Sequence, residues 1–210
     1  MTAMSKPTVF VVDDDEAVRG SLKLLLKSIG LPVIAYPSAP EFLAAYRHEQ
    51  SGCLILDIRM PGMSGLELQQ QLNVRGAVIP VVFISGHGDI PMAVEAMQHG
   101  AFDFLQKPFR DQDLIDRVQK AMERDAASRN QLRRLEQVRE RFDTLTAREH
   151  EVLGLMTLGR QNKVMAGDLG VSQRTVEIHR ARVMEKMQAR SLAQLVRMMI
   201  ELEHRGEAPG

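Results

Sequence analysis

Cysteine is almost absent: among 210 residues there is one, Cys53. A single thiol permits no intramolecular disulfide. Its place in the apolar run Cys53-Leu54-Ile55-Leu56 predicts an inert buried side chain rather than a redox centre. Long apolar runs are missing too. No stretch approaches the ~20 residues that a membrane-spanning helix needs, and residues 1–8 lack the apolar segment of a secretory signal. A cytoplasmic protein without membrane contact is expected. Neither sign of charge is in excess, with 27 basic and 27 acidic side chains. Their distribution is uneven, however. Residues 1–125 carry 12 Lys/Arg against 16 Asp/Glu, and residues 126–210 carry 15 against 11. An acidic first part and a basic second part predict a cation-binding module followed by one that binds a polyanion.

What is present is a regular alternation. Short apolar runs at Val9–Val12, Pro32–Tyr36, Cys53–Leu56, Pro80–Ile84 and Phe102–Leu105 predict strands. Amphipathic segments near 16–29, 39–48, 65–74 and 91–99, and one from Asp111, predict helices between and after them. Strict alternation of this kind predicts an α/β fold with a five-stranded parallel sheet, doubly wound, in the flavodoxin-like order 2-1-3-4-5. From Asp111 the helical pattern continues through Arg141 without Pro or Gly. Residues 123–142 read as a helical linker, polar all round at 123–131, either a single solvated helix or part of a two-stranded coil.

From residue 143 the strand patterns stop, and an all-α domain of four helices is expected over 143–205. Thr146-Ala-Arg-Glu149 fits a capping box that opens a helix to about Leu158. A short helix near 163–169 ends at Gly170. Ser172 caps a third reaching about Met187, and Ser191 a fourth reaching about Glu203. Two helices joined by a tight turn with Gly, the second rich in Arg, form a helix-turn-helix pattern. Residues 206–210 read as a disordered tail.

The chemistry concentrates at the ends of the expected strands. Asp13, Asp14 and Asp15 follow the first strand and Asp57 follows the third. In order 2-1-3-4-5 those strands are neighbours, so the acids meet at the topological switch point where such sheets bind ligands. Crowded carboxylates of this kind suit a hard divalent cation, with Mg²⁺ the best match. Ser85 follows the fourth strand and Lys107-Pro108 the fifth. Pro108 constrains the chain around the lysine, and a cis bond is one way it does so. Acids, a hydroxyl and an ammonium converging on one crevice describe a site for a metal and a phosphoryl group.

This set, Asp13-Asp14, Asp57, Ser85 and Lys107-Pro108, resembles the receiver domain of two-component response regulators over residues 7–122. The runs Asp57-Ile-Arg-Met-Pro-Gly-Met-Ser-Gly65 and Gly86-His-Gly-Asp-Ile-Pro91 are similar to the FixJ-type subgroup. The resemblance implies that Asp57 is the phosphoacceptor and that Asp14 and Asp57 ligate Mg²⁺. Asp13 would act through water and the Arg59 backbone carbonyl would be a further ligand. It also implies that Ser85 and Lys107 touch the phosphoryl oxygens, and that Ser85 and Phe104 form the switch. The donor would be the phosphohistidine of a sensor histidine kinase. A phosphoaspartate beside two acids needs both cations, since one charge pair at ~4 Å is worth roughly 4 kcal/mol at an effective dielectric near 20.

Residues 143–205 resemble the LuxR/NarL-type DNA-binding domain. The likeness lies in Leu145-Thr-Ala-Arg-Glu149, Asn162-Lys163, Leu169-Gly-Val-Ser172, Arg174-Thr-Val-Glu-Ile-His179 and Lys186-Met187. On the third helix of this domain Val176, Val183 and Met187 should face inward. Arg174, Glu177, Ile178, Ala181 and Arg182 fall on the opposite face, where they can enter a major groove of double-stranded DNA. Asn162, Lys163, Ser172, Arg180 and Lys186 suit phosphates. His179 reads as a hydrogen-bonded structural histidine. A phosphorylation-switched transcription regulator is therefore expected, not a turnover enzyme, forming a homodimer through its fourth helix and fifth strand and meeting RNA polymerase. An aspartyl-phosphate phosphatase would place a second Asp two residues after the nucleophile, where this chain has Arg59. A DNA-binding protein with a vestigial receiver would have no reason to keep the acid, hydroxyl and lysine together.

Overall fold

The structure is a computed structural model that describes residues 6–86 and 90–206. The chain divides into two compact units, residues 1–129 and 130–210. The first unit is built from β1 (Thr8–Val12), α1 (Glu16–Ser28), β2 (Val33–Tyr36), α2 (Ala39–Ala45), β3 (Gly52–Asp57), α3 (Gly65–Val74), β4 (Val81–Ser85), α4 (Ile90–Gln98) and β5 (Asp103–Gln106), followed by the start of α5 (Asp111–Asp143). All pairings are parallel and the strand order is β2-β1-β3-β4-β5, the expected one.

The period-two pattern of the central strands feeds two cores. Phe10, Val12, Leu54, Leu56 and Phe83 pack with Phe42, Leu68 and Leu72 of α2 and α3. Val9, Val11, Cys53, Ile55, Val82 and Ile84 pack on the other face with Leu22 and Leu26 of α1 and Leu114 and Val118 of α5. A sheet covered on both faces needs such continuously apolar strands. Cys53 is fully buried, and that burial pushes its thiol up to about 12. Helix starts follow the capping residues. Asp15 accepts from the Ala17 and Val18 amides at α1, and Ser64 and Glu67 close a capping box at α3.

Two details differ from the sequence expectation. First, Asp57 and Ser85 are the last residues of β3 and β4 rather than the first beyond them. Their register partners, Ile84 and Gln106, continue the pairing despite two poor strand formers. Second, the polar stretch 123–131 is not wholly solvated. Asp125 is only 2% exposed and accepts from the Gly52 amide at 2.9 Å. It also holds Arg129, whose Nε lies 2.8 Å from its Oδ1. Arg129 in turn donates to the carbonyls of His48 and Gln50. The polarity of this turn hides a pair that neutralises itself at i,i+4 and fastens the helix to the entry of β3. Gly52 has φ +140°, and a Cβ there would lie 1.8 Å from the Thr8 carbonyl oxygen, so only glycine serves.

The second unit comprises the rest of α5, then α6 (Ala147–Thr157), α7 (Asn162–Leu169), α8 (Gln173–Lys186) and α9 (Leu192–Gly206). Thr146 and Glu149 make the expected capping box, Ser172 caps α8, and Gly170 ends α7 in the left-handed region at φ 64°. Val152, Met165, Val176, Val183, Met187 and Leu195 fill its core, with Val138 of α5 against them. Among the described residues no helix is long and apolar enough to cross a membrane. Of the tail expected at 206–210, Gly206 closes α9. Residues 207–210 lie outside the described residues, as do residues 87–89 of the Gly86–Pro91 motif.

Candidate phosphoacceptor site and nucleic-acid interface

Three charged side chains from three strand ends meet in the first unit. Asp13, directly after β1, is 1% exposed, and Asp57, ending β3, is buried as well. The Lys107 ammonium, just past β5, bridges them at 3.1 Å from Asp13 Oδ2 and 2.9 Å from Asp57 Oδ1. Each carboxylate is steadied at its other oxygen. Asp13 Oδ1 accepts from the Asp15 amide at 2.9 Å, and Asp57 Oδ2 from the Arg59 amide at 2.8 Å. The Lys107 amide donates to the Ser85 carbonyl at 2.7 Å, which ties the lysine to the buried end of β4. The Lys107–Pro108 peptide is cis. Behind Asp57 the chain folds back so closely that a Cβ on Gly65 would lie 2.2 Å from the Asp57 carbonyl oxygen.

The electrostatics of the cluster are unbalanced. Burial pushes the Asp13 carboxyl above its ordinary value, although the Asp15 amide and Lys107 both pull it down. Burial acts to lower Lys107, but hydrogen bonds to Asp57 and Asp13 outweigh it and hold the ammonium above its usual range. Two carboxylates thus share one ammonium. The donors at hand are hard oxygens short of positive charge, a set that fits a small divalent cation. The Asp14 carboxylate, on the next residue along the chain from Asp13, is exposed, and among the described residues no three acidic, histidine or cysteine side chains are gathered as metal ligands. The Arg59 side chain is exposed while its amide serves Asp57. Phe104 on β5 is half-buried, in register with Phe83. It lines a cavity of about 780 Å³ with Val94, Met97, Pro108 and Phe109.

In the second unit α8 separates its faces as expected. Val176, Val183 and Met187 are fully buried, whereas Arg174, Glu177, Ile178, Ala181 and Arg182 are exposed. Asn162 begins α7, half-buried, and Lys163 beside it is exposed. Ser172 Oγ accepts from the Thr175 amide at 3.1 Å, and an Arg180 amino group lies 3.7 Å from Met165 Sδ. Lys186 is turned inward. Its Nζ lies 2.6 Å from Glu149 Oε2 and 3.0 Å from the Thr144 carbonyl. The Lys186 hydrogen bond, then the Thr146 amide, hold the buried Glu149 carboxyl down to about 2. His179 Nδ1 is buried without a hydrogen-bond partner, so the bond expected for that histidine is not made at this atom.

Comparison with known proteins matches both units. Residues 9–119 match the family described as response regulator receiver domain, and residues 143–199 the family described as bacterial regulatory proteins, luxR family. FixJ of Azorhizobium caulinodans is 50% identical, over 91% of this chain and 91% of that protein. Nodulation protein W of Bradyrhizobium diazoefficiens is 49% identical, over 93% of this chain and 86% of that one. The chain belongs to the FixJ-type response regulators. Among solved structures, response regulator StyR matches 94% of this regulator and 100% of its own chain, with 48% identity and a TM-score of 0.86. Full-length FixJ from B. japonicum matches 95% and 98%, at 38% identity and a TM-score of 0.59. The regulator is a transcriptional regulator of the two-component type, with a receiver and a LuxR-type DNA-binding domain, and its family is not one of enzymes. Receivers as a class use Mg²⁺ for phosphorylation and take the phosphoryl group from histidine kinases.

Sequence reasoning brought Asp13, Asp57 and Lys107 together because each lies at or just past the end of its own strand. It missed the partner of Lys186, since Glu149 lies 37 residues away and was already explained by the capping box. It also missed Arg19, which reaches the site through backbone oxygens and so leaves no pattern of residue types.

Proposed function

We propose that the regulator is switched by phosphorylation of Asp57 and then binds its operators as a dimer. The observation that carries this reading is the bridge from Lys107 to Asp13 and Asp57. It puts a nucleophilic carboxylate, a fixed cation and a second acid in one crevice. An Asp57 oxygen attacks phosphorus as the N–P bond of the kinase phosphohistidine breaks, and the imidazole leaves with the bonding electron pair. Asp14, Asp57 and the Arg59 carbonyl would hold Mg²⁺, with Asp13 acting through water, and the ion would supply positive charge against that on the phosphoryl oxygens. Lys107 and the Ser85 hydroxyl take the oxygens that remain.

Ser85 and Phe104 form the switch. The hydroxyl turns toward the new phosphoryl group and the ring moves into the space beside it, changing the face made by α4 and β5. Val94 and Met97 of α4 are about half exposed there, next to the cavity behind Phe104. An apolar surface of this kind suits a second copy of the chain. In the domain at 143–205, Arg174, Glu177, Ile178 and Arg182 face the major groove. Asn162, Lys163, Ser172 and Arg180 hold phosphates. Lys186, committed to Glu149, is left out of those contacts. The receiver spans residues 7–122 and the linker 123–142, whose first turns stay on the receiver. The protein works in the cytoplasm with RNA polymerase as a further partner.

The test is labelling with acetyl phosphate and Mg²⁺. One phosphoryl group per chain is expected, at Asp57 by mass spectrometry, with dimers in sedimentation only after labelling. Asp57→Asn should carry no label and stay monomeric. Undiminished labelling of that variant would overturn the assignment.

A further inference from the structure

Arg19 is the fourth residue of α1, one turn in, and belongs to none of the roles assigned so far. One of its terminal nitrogens, Nη1, donates to the main-chain carbonyl of Asp13 at 2.8 Å and to that of Asp14 at 2.8 Å. Two consecutive carbonyl dipoles aimed at one point repel each other, and they stay so only with a positive donor between them. The bonds have a geometric consequence. The carbonyls of Asp13 and Asp14 belong to the peptide planes on either side of Asp14. Fixing both planes fixes both backbone dihedrals of that residue, and with them the direction in which its side chain leaves the chain. The same loop is held from its far side. Asp13 Oδ1 accepts from the Asp15 amide at 2.9 Å, and Asp15 caps α1 through the Ala17 and Val18 amides. The acid loop and the first turns of α1, Arg19 included, thus form one closed hydrogen-bonded unit.

We infer that Arg19 is a positioning residue for the divalent cation. By clamping the peptide planes on either side of Asp14 it fixes where that carboxylate leaves the chain relative to Asp13, and so raises affinity for Mg²⁺. This rests on the reading of Asp13, Asp14 and Asp57 as the metal site. The alternative is simple electrostatics, and it has the opposite sign. A guanidinium beside a cation site repels the cation, so its removal would tighten binding. Positioning requires that removal weaken it. Groups that orient metal ligands from behind typically change affinity by roughly 10–100-fold when mutated.

The experiment is a Mg²⁺ titration of the full-length, unphosphorylated protein, read as the shift of its melting temperature with no phosphodonor present. Arg19→Ala should raise the half-saturating Mg²⁺ concentration about tenfold. Arg19→Gln keeps an N–H donor without the charge and should lie between Ala and the parent. The labelling rate with acetyl phosphate should show the same displaced Mg²⁺ dependence and recover at excess Mg²⁺. A purely structural loss would lower the melting temperature without moving the Mg²⁺ midpoint. That outcome, or a midpoint equal to or below the parent's in either variant, overturns the inference. Failure of the underlying metal assignment shows differently. Asp14→Ala and Asp57→Asn would then leave the midpoint unmoved in a protein with Arg19 intact, and the inference would fall with it.

Discussion

Each unit of the regulator holds a lysine on a buried carboxylate, and the two pairs are electrostatic opposites. In the DNA-binding unit Glu149 Oε2 receives both Lys186 at 2.6 Å and the Thr146 amide at 2.8 Å. Those bonds bring its carboxyl down to about 2. In the receiver, Lys107 is divided between Asp13 and Asp57, and burial leaves the Asp13 carboxyl above its ordinary value. The first pair is complete and has no capacity for a ligand. The second lacks positive charge, and under the proposed function that shortage is what would let it accept a cation and then a phosphoryl group. An ion pair alone does not mark a functional site; a surplus of carboxylate around it does.

Neutralising one acid in each unit tests the contrast most strongly. Glu149→Gln should lower the melting transition of the DNA-binding unit. A buried pair broken on one side costs ~3–5 kcal/mol, and with Lys186 about a third exposed the loss should be nearer 2 kcal/mol. At ~4–8 °C per kcal/mol for a unit of this size, calorimetry would resolve it easily. Asp13→Asn mimics the neutral form that burial already favours and should not lower the receiver's transition. Equal losses in both variants would erase the comparison.

Acid titration gives a smaller effect. The depressed Glu149 carboxyl contributes stability that is fully present above about 4.5, its unperturbed value, and is lost as pH falls toward about 2. Asp13, raised by burial, has the opposite sign, and its protonation relieves a cost. Circular dichroism between pH 5 and pH 2 should therefore show helical loss from the DNA-binding unit first. Earlier loss of the receiver would reverse the ranking of the two pairs.

The smallest expected effect concerns DNA. A lysine that neutralises a phosphate changes the salt slope of binding by about one when removed. Lys186 spends its charge on Glu149, so Lys186→Met should leave the slope of log K against log[salt] unchanged below its melting temperature. A slope reduced by about one would return Lys186 to the phosphate contacts.

Much of this was legible in the chain because the relevant signals are local. The short, wholly apolar runs Val9–Val12 and Cys53–Leu56 mark strands, and the strand order places Asp13 beside Asp57. The threonine and serine caps at 146 and 172 mark where helices begin. What could not be read depends on partners distant in sequence. Asp57 and Ser85 are poor strand residues whose inclusion is decided by the strand next door. Lys186 looks like any basic residue at a helix end until Glu149 is seen beneath it. Asp125 and Arg129 sit among polar neighbours, and nothing in that run tells which two are buried. Arg19 acts on main-chain atoms, which every residue type shares.

The Asp125–Arg129 fastening has a consequence for modularity. The family match to the receiver ends at residue 119, yet the acceptor for the Gly52 amide sits at 125 and its support at 129. β3 begins at that glycine and ends at Asp57, so one five-peptide rod joins the fastening to the proposed phosphoacceptor. A receiver transplanted with its boundary at 119 leaves behind the side chains that complete its own third strand. It would bury an amide without an acceptor, at a cost of roughly 1–3 kcal/mol. The natural seam for exchanging output domains on this scaffold therefore runs after Arg129, inside the helix rather than before it.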